Sequence, residues 1–321
     1  MSHWSFAPRS GSLLTIAALV SGCMHSASAQ QNADVMRSHT AVSSARTDSI
    51  NWSAVDAAIG RTGVLQPSEV HRFNFPRSDL HVTAAGVTIR PSLALGGWIA
   101  MKAVAGGVVA MGDLVLVEDE LEAVISRLQR GGIEQTAIHH HLLHESPRIY
   151  YVHVHGHGDA VQIGETLRAA IALTKAPPAA TAPAAAAAFD LDTISLVKAL
   201  GYSGRINGGV YQVSVPRAET IRDGDFEVPA SMGLGTAINF QPTGDGKAAI
   251  TGDFVMIASE VNTVIRALRD AGIEVTSLHN HLLTETPRLF FMHFWANDDA
   301  TTLARALHSA LDRTNSKRPT S

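Results

Sequence analysis

Between Glu118 and Arg130 the apolar residues Leu121, Val124, Ile125 and Leu128 recur at i, i+3, i+4 and i+7. That spacing predicts a helix with one buried face, and Gly131-Gly132 supplies its stop. Before it, the apolar run Trp98 to Val117, broken at Gly106-Gly107, and the shorter run Val70 to Phe75 predict strands. After it, polar and apolar residues alternate on both sides of a turn at His144 to Pro147, the pattern of two half-buried strands. A closing helix is predicted from Asp159, a plausible N-cap, to Thr174, and a short opening helix over Asn51 to Gly60.

The whole pattern then repeats. A slide of 140 residues aligns Asp113–Asp159 with Asp253–Asp299 without a gap, and 19 of the 47 positions are identical. The same offset aligns Val70, Pro76 and Arg77 with Val210, Pro216 and Arg217, and a second opening helix is predicted over Asp192 to Gly201. Chance does not produce such agreement, so the chain carries a duplication. Residues 51–175 form the first repeat and residues 189–314 the second, with a Pro/Ala spacer over residues 176–188. The element order predicts an α+β fold, each repeat an antiparallel sheet with helices on one face and a His-rich β-hairpin. It resembles a ferredoxin-like half with extra strands.

The residues surviving in both copies of the hairpin are the chemically capable ones. His139, His141, Glu145, Arg148 and His153 answer His279, His281, Glu285, Arg288 and His293. Along a strand, odd positions share a face, so His139, His141 and His153 are expected together, with Ile138, Leu142, Tyr150, Val152 and Val154 toward the core. A register pairing His139 with His153 would bring three imidazoles within reach of one ion. Three histidines beside a carboxylate suit Zn, Cu, Fe, Ni or Mn. Glu145 and Glu285 are candidate catalytic groups, as ligand, orienter of a histidine or general base. The same histidines could form a polar ladder without an ion, and Glu145 with Arg148 a simple turn ion pair. His155 and His157 share the histidine face, but Trp295 and Asn297 replace them in the second copy. Asp113 and Asp253 each follow a glycine, and a turn role at a strand start is expected for them.

Composition narrows the setting. A net charge of -4 offers no basic face for phosphates, so nucleic acid is not an expected partner. Residues 1–23 read as an export signal, with Arg9, the apolar run Leu13 to Val20, and Val20-Ser21-Gly22-Cys23, which resembles a lipobox. Cys23 is the chain's single cysteine, a candidate lipidation site that would make the membrane a partner. The alternative is ordinary cleavage at Ala27-Ser28-Ala29 and a soluble exported protein. Residues 24–50 read as a flexible tether and residues 315–321 as a disordered tail. The chain lacks a G-x-S-x-G elbow, a His-Glu-x-x-His helix and a convincing phosphate-cradling loop.

The strings GDLVLVEDE, HHHLLHESPRIYYVHVHGHGD and HNHLLTETPRLFFMHFWANDD resemble the LppY/LpqO family of bacterial lipoproteins. That resemblance implies a duplicated domain of unknown function in an exported or lipid-anchored protein, and no reaction. His139, His141 and Glu145, like His279, His281 and Glu285, also resemble the first cupin motif, although the last cupin histidine belongs to a later motif and His153 comes only eight residues after Glu145. The expectation is therefore an exported protein holding a transition metal, acting as a metal-dependent hydrolase or oxidase on an envelope substrate. The alternatives are a metal-binding protein without chemistry, and a metal-free structural or ligand-binding module.

Overall fold

A computed structural model describes residues 50–178 and 188–319. The expected signal, tether and Cys23 lie outside the described residues, as does most of the spacer. In the first repeat the elements are α1 (Trp52–Ile59), β1 (Val64–Gln66), β2 (Val70–Pro76), β3 (Gly96–Val104), β4 (Gly107–Val117), α2 (Glu118–Arg130), β5 (Glu134–His139), β6 (Ile149–Gly158) and α3 (Ala160–Ile171). The second repeat follows with α4 (Thr193–Leu200), β7 (Arg205–Asn207), β8 (Val210–Pro216), β9 (Gly235–Gly244), β10 (Lys247–Ile257), α5 (Ala258–Asp270), β11 (Glu274–His279), β12 (Leu289–Asp299) and α6 (Ala300–Leu311).

Local chemistry sets the helix ends, Asp159 among them as expected. Asn51 and Asp192 cap α1 and α4 by accepting from Ala54 and Ile194 N–H groups, and Asp159 and Asp299 cap α3 and α6 in the same way. Before α2 and α5 the residue three places in does the work: Glu120 and Glu260 accept the N–H of Val117 and Ile257 at 3.0 and 2.9 Å.

The two main sheets have six strands each, in the orders β1-β2-β3-β4-β6-β5 and β7-β8-β9-β10-β12-β11, and two small sheets of two-residue strands lie beside them: Arg222–Asp223 with Phe226–Glu227, and Thr83–Ala84 between Val87–Thr88 and Glu145–Ser146. All neighbours are antiparallel. Because β6 lies between β4 and β5, those two run parallel and α2 is their crossover, a split β-α-β. The strand that would close a ferredoxin-like half after the last helix is supplied instead by β3, ahead of β4.

Side-chain alternation divides each sheet into two buried faces. In β4 and β6 the even positions Val108, Ala110, Leu114, Val152 and Val154 pack on α1, α2 and α3. The corresponding positions of the second sheet, Ile250, Phe254, Met292 and Phe294 among them, pack on α4, α5 and α6. Most of the odd positions are buried as well. Val115 and Tyr151 share a cluster with Ala249 and Trp295, and Val109 and Met111 share another with Val255 and Phe291. The sheets therefore meet through their helix-free faces, and the duplication makes one α/β/β/α body rather than two independent domains.

Reciprocal hydrogen bonds join the edges of the two hairpins. Thr136 donates to the His281 carbonyl at 2.7 Å, and its counterpart Thr276 donates to the His141 carbonyl at 2.6 Å. That exchange marks a pseudo-twofold axis between β5 and β11. Two buried ion networks brace the sheets in matching positions. Arg77 bonds Asp79, Glu120 and the Val115 carbonyl, while Arg217 bonds Glu219, Glu260 and the Val255 carbonyl. The segment expected to be a loose tail is held at its start, since Ser316 bridges to Arg217 and Lys317 N–H donates to the Pro216 carbonyl at 2.7 Å.

Candidate metal centre

The odd-numbered faces of β6 and β12, the ends of β5 and β11, and the first loop residues after them carry six histidines into the space between the sheets. They are His139, His141 and His153 from the first repeat, and His279, His281 and His293 from the second. Across the pseudo-twofold axis they stack in pairs. Ring centroids are 3.8 Å apart for His139 and His279, 3.7 Å for His141 and His293, and 3.9 Å for His153 and His281. An aromatic wall backs the outer rings, with Tyr151 stacked on His141 at 3.2 Å and Phe291 on His281 at 3.5 Å.

Two aspartates complete the cluster, and here the structure corrects the sequence reading. Asp113 and Asp253 stand inside continuous strands rather than at turns, buried and opposite His153 and His293 in the pairing of β4 with β6 and β10 with β12. Their preceding glycines serve close packing. A Cβ on Gly112 would sit 2.2 Å from the Trp98 carbonyl oxygen, and one on Gly252 1.9 Å from that of Ala237. Asp113 lies 3.4 Å from His141 Nε2 and 3.9 Å from His153 Nε2. Asp253 lies 3.0 Å from His281 Nε2 and 4.0 Å from His279 Nε2. The signal was present in the sequence: both aspartates recur at the 140-residue offset and share odd parity within an apolar strand.

The register also differs from expectation. His139 pairs with Tyr151, and His153 with Ala137, after an irregularity between Gln135 and Ala137. The three imidazoles still gather, because His139 and His153 are diagonal neighbours on one face with ring centroids 5.0 Å apart. Ile138, expected in the core, is 52% exposed, since β5 is an edge strand.

Electrostatics at the site follow from burial. Desolvation drives His141, His153, His279 and His293 well below the usual imidazole range, helped by neighbouring imidazoles that disfavour a second charge. It lowers His139 to about 4 against the opposing pull of Asp113, and pushes Asp113 up to about 6. These imidazoles are therefore neutral at neutral pH, the form that binds metals. Backbone carbonyls fix several rings: His139, His281 and His293 direct Nδ1 to the carbonyls of His140, Gly233 and Gly252 at 3.2, 3.1 and 2.6 Å. Such bonds hold the proton on Nδ1 and leave the Nε2 lone pair facing the cluster.

Buried polar atoms almost always find partners, and here many do not. Nε2 of His139, His141, His153 and His293, Nδ1 of His279, and Oδ1 of Asp113 and Asp253 are all buried without a hydrogen bond. Four donor groups converge within 4.8 Å: Asp113/His141/His153, Asp253/His279/His281, His139/His153/His279 and His139/His141/His293.

Glu145 and Glu285 belong to none of these groups. Their side chains accept the N–H of Ile149 and Leu289 at 3.1 and 2.9 Å and so fasten the loop that leads into β6 and β12. Burial pushes Glu145 up to about 7. His155 stands apart from the cluster with Nε2 3.5 Å from Asp223 of the second repeat, and His157 is exposed.

Fold and site together define a duplicated α+β protein with a thiolate-free His/Asp cluster between its halves. Residues 53–173 and 195–313 each match the family described as Domain of Unknown Function (DUF1259), and the chain belongs to that family. No curated protein matches it. Two solved structures are similar over much of the chain. A trimeric bacterial microcompartment shell protein, PduB, is 12% identical, covering 76% of this chain and 86% of its own with a TM-score of 0.18. EtuB from Clostridium kluyveri is 8% identical, covering 77% and 89%, also with a TM-score of 0.18. At those values the likeness carries no argument about fold, assembly or activity.

Proposed function

We propose that this protein is a transition-metal-binding protein whose centre is built jointly by the two repeats, with His139, His141, His153, His279, His281 and His293 as imidazole donors and Asp113 and Asp253 as carboxylate donors. One observation carries the reading. Seven buried polar atoms on seven of these side chains lack hydrogen-bond partners, and the eight side chains form four overlapping groups of three whose donor atoms lie within 4.8 Å of one another. A purely structural histidine ladder would satisfy those atoms with one another, because each orphaned polar group costs about 1–3 kcal/mol. Nitrogen and oxygen donors suit Zn, Cu, Fe or Mn.

The burial of His153, His281, His293 and both aspartates between two sheets supports a held ion over a hydrolase working on a large envelope substrate. Export and lipid anchoring at Cys23, in the manner of the lipoproteins the chain resembles, complete the proposal. A donor set without thiolate suits an oxidising compartment.

Elemental analysis of the purified mature protein tests the reading, alongside His139→Ala/His279→Ala. Near-stoichiometric metal that disappears in the double variant supports it. Protein that stays metal-free after incubation with Zn, Cu, Fe and Mn salts refutes it. Labelling with a radioactive fatty acid, lost in Cys23→Ala, tests the anchor.

A further inference from the structure

We propose that the centre is dinuclear, with one ion held by Asp113, His139, His141 and His153 and a second held by Asp253, His279, His281 and His293, side by side across the pseudo-twofold axis. The proposal rests on the metal-binding reading and adds the number of ions and their division between the repeats.

The carboxylates decide the count. Asp113 approaches only His141 and His153 among the imidazoles within 4 Å, and Asp253 only His279 and His281. None of the four convergent donor groups contains both aspartates. A single ion could therefore neutralise one buried carboxylate and would leave the other without a cation, a costly arrangement in a site walled by Tyr151 and Phe291. Coordination number agrees. A first-row ion takes about four to six donors, and eight donors divide into two sets of about four. Each donor group that contains an aspartate draws on one repeat alone. Duplication of a sequence that carries three histidines and an aspartate has duplicated a site, and docking of the sheets has placed the two sites together.

Adjacency follows from the stacking. Every imidazole of one set lies against an imidazole of the other at 3.7–3.9 Å between ring centroids. The groups His139/His153/His279 and His139/His141/His293 mix donors of both sets within 4.8 Å. Two ions held this way feel each other, both as like charges and, where they are paramagnetic, as coupled spins.

The test uses the full mature chain freed of metal and titrated with Co(II), with bound metal measured after gel filtration, then repeated for Asp113→Asn and Asp253→Asn. Two ions per chain are expected in the wild type and one in each single variant. Loading with Cu(II) should give an electron-paramagnetic signal integrating to fewer than two spins in the wild type, and an uncoupled single-ion signal in either variant. One ion per wild-type chain, lost from both variants, overturns the proposal. So do two ions whose spins ignore each other. Absence of any binding by the wild type refutes the metal-binding reading itself. The wild-type titration does not depend on a variant folding, and circular dichroism identifies a variant that fails to fold.

Discussion

Acid should open the metal-free protein over a narrow range around pH 5. In the fold, burial keeps His141, His153, His279 and His293 neutral, while in the unfolded chain each takes up a proton as pH falls through about 6.5. A group whose folded pKa is depressed contributes stability present above its unfolded pKa and lost as pH drops below it. The slope is about 1.4 kcal/mol per pH unit for each such histidine, so four together give about 5 kcal/mol per unit. His139, held at about 4, adds to the loss between about 6.5 and 4. Asp113 opposes it: raised to about 6, it favours the fold as pH falls from about 6 toward 3.8. One aspartate roughly offsets one histidine, and the other four remain. A domain with total stability of about 5–15 kcal/mol cannot absorb that slope for more than one to three units. The metal-free protein should therefore unfold, or separate its two sheets, with a midpoint near pH 5, and bound metal should move the midpoint lower. Near-ultraviolet circular dichroism against pH, with and without chelator, reads both transitions. A metal-free protein that keeps its signal and melting temperature unchanged down to pH 4 would refute the argument that these imidazoles are buried and neutral.

Other outcomes follow from single contacts. Glu120→Gln or Glu260→Gln leaves Arg77 or Arg217 short of its buried partner, and a loss of about 3–5 kcal/mol is expected in urea unfolding. Gly112→Ala forces a methyl to within 2.2 Å of the Trp98 carbonyl and 2.5 Å of the Ile99 side chain. It should destabilise by about 1–3 kcal/mol or more and weaken metal binding through its neighbour Asp113, whereas Gly96→Ala, whose Cβ would meet nothing closer than the Pro91 carbonyl at 3.7 Å, should leave metal content unchanged. Glu145→Ala should lower stability by about 1–2 kcal/mol while preserving metal content, because Glu145 fastens a loop through its bond from Ile149 N–H and reaches none of the donor groups. Metal loss in that variant, measured by elemental analysis, would return the glutamate to the centre.

Local structure and the six-histidine set were legible in the chain alone. Periodicity placed α2 over Glu118–Arg130, and Asn51, Asp159 and Gly131-Gly132 marked helix ends, because capping and amphipathicity depend on residues within a turn or two of one another. Duplication singled out His139, His141 and His153 with their counterparts, and strand parity put them on one face. Tertiary structure decided everything that depends on which faces meet. Alternation could say that odd positions share a side, but not that this side packs against a second sheet instead of solvent. Hence Asp113 and Asp253 read as turn residues until β4 and β10 ran through them, and Glu145, close to the histidines in sequence, proved to hold a loop. A shift of two in the pairing of β5 with β6 left parity intact while changing which residues stand opposite, so the faces were legible and the contacts were not. The merging of two histidine sets into one cluster is a property of docking. It arises from the burial of Val109, Met111, Val115 and Tyr151 against residues more than 90 positions away, and no local pattern encodes that choice of partner.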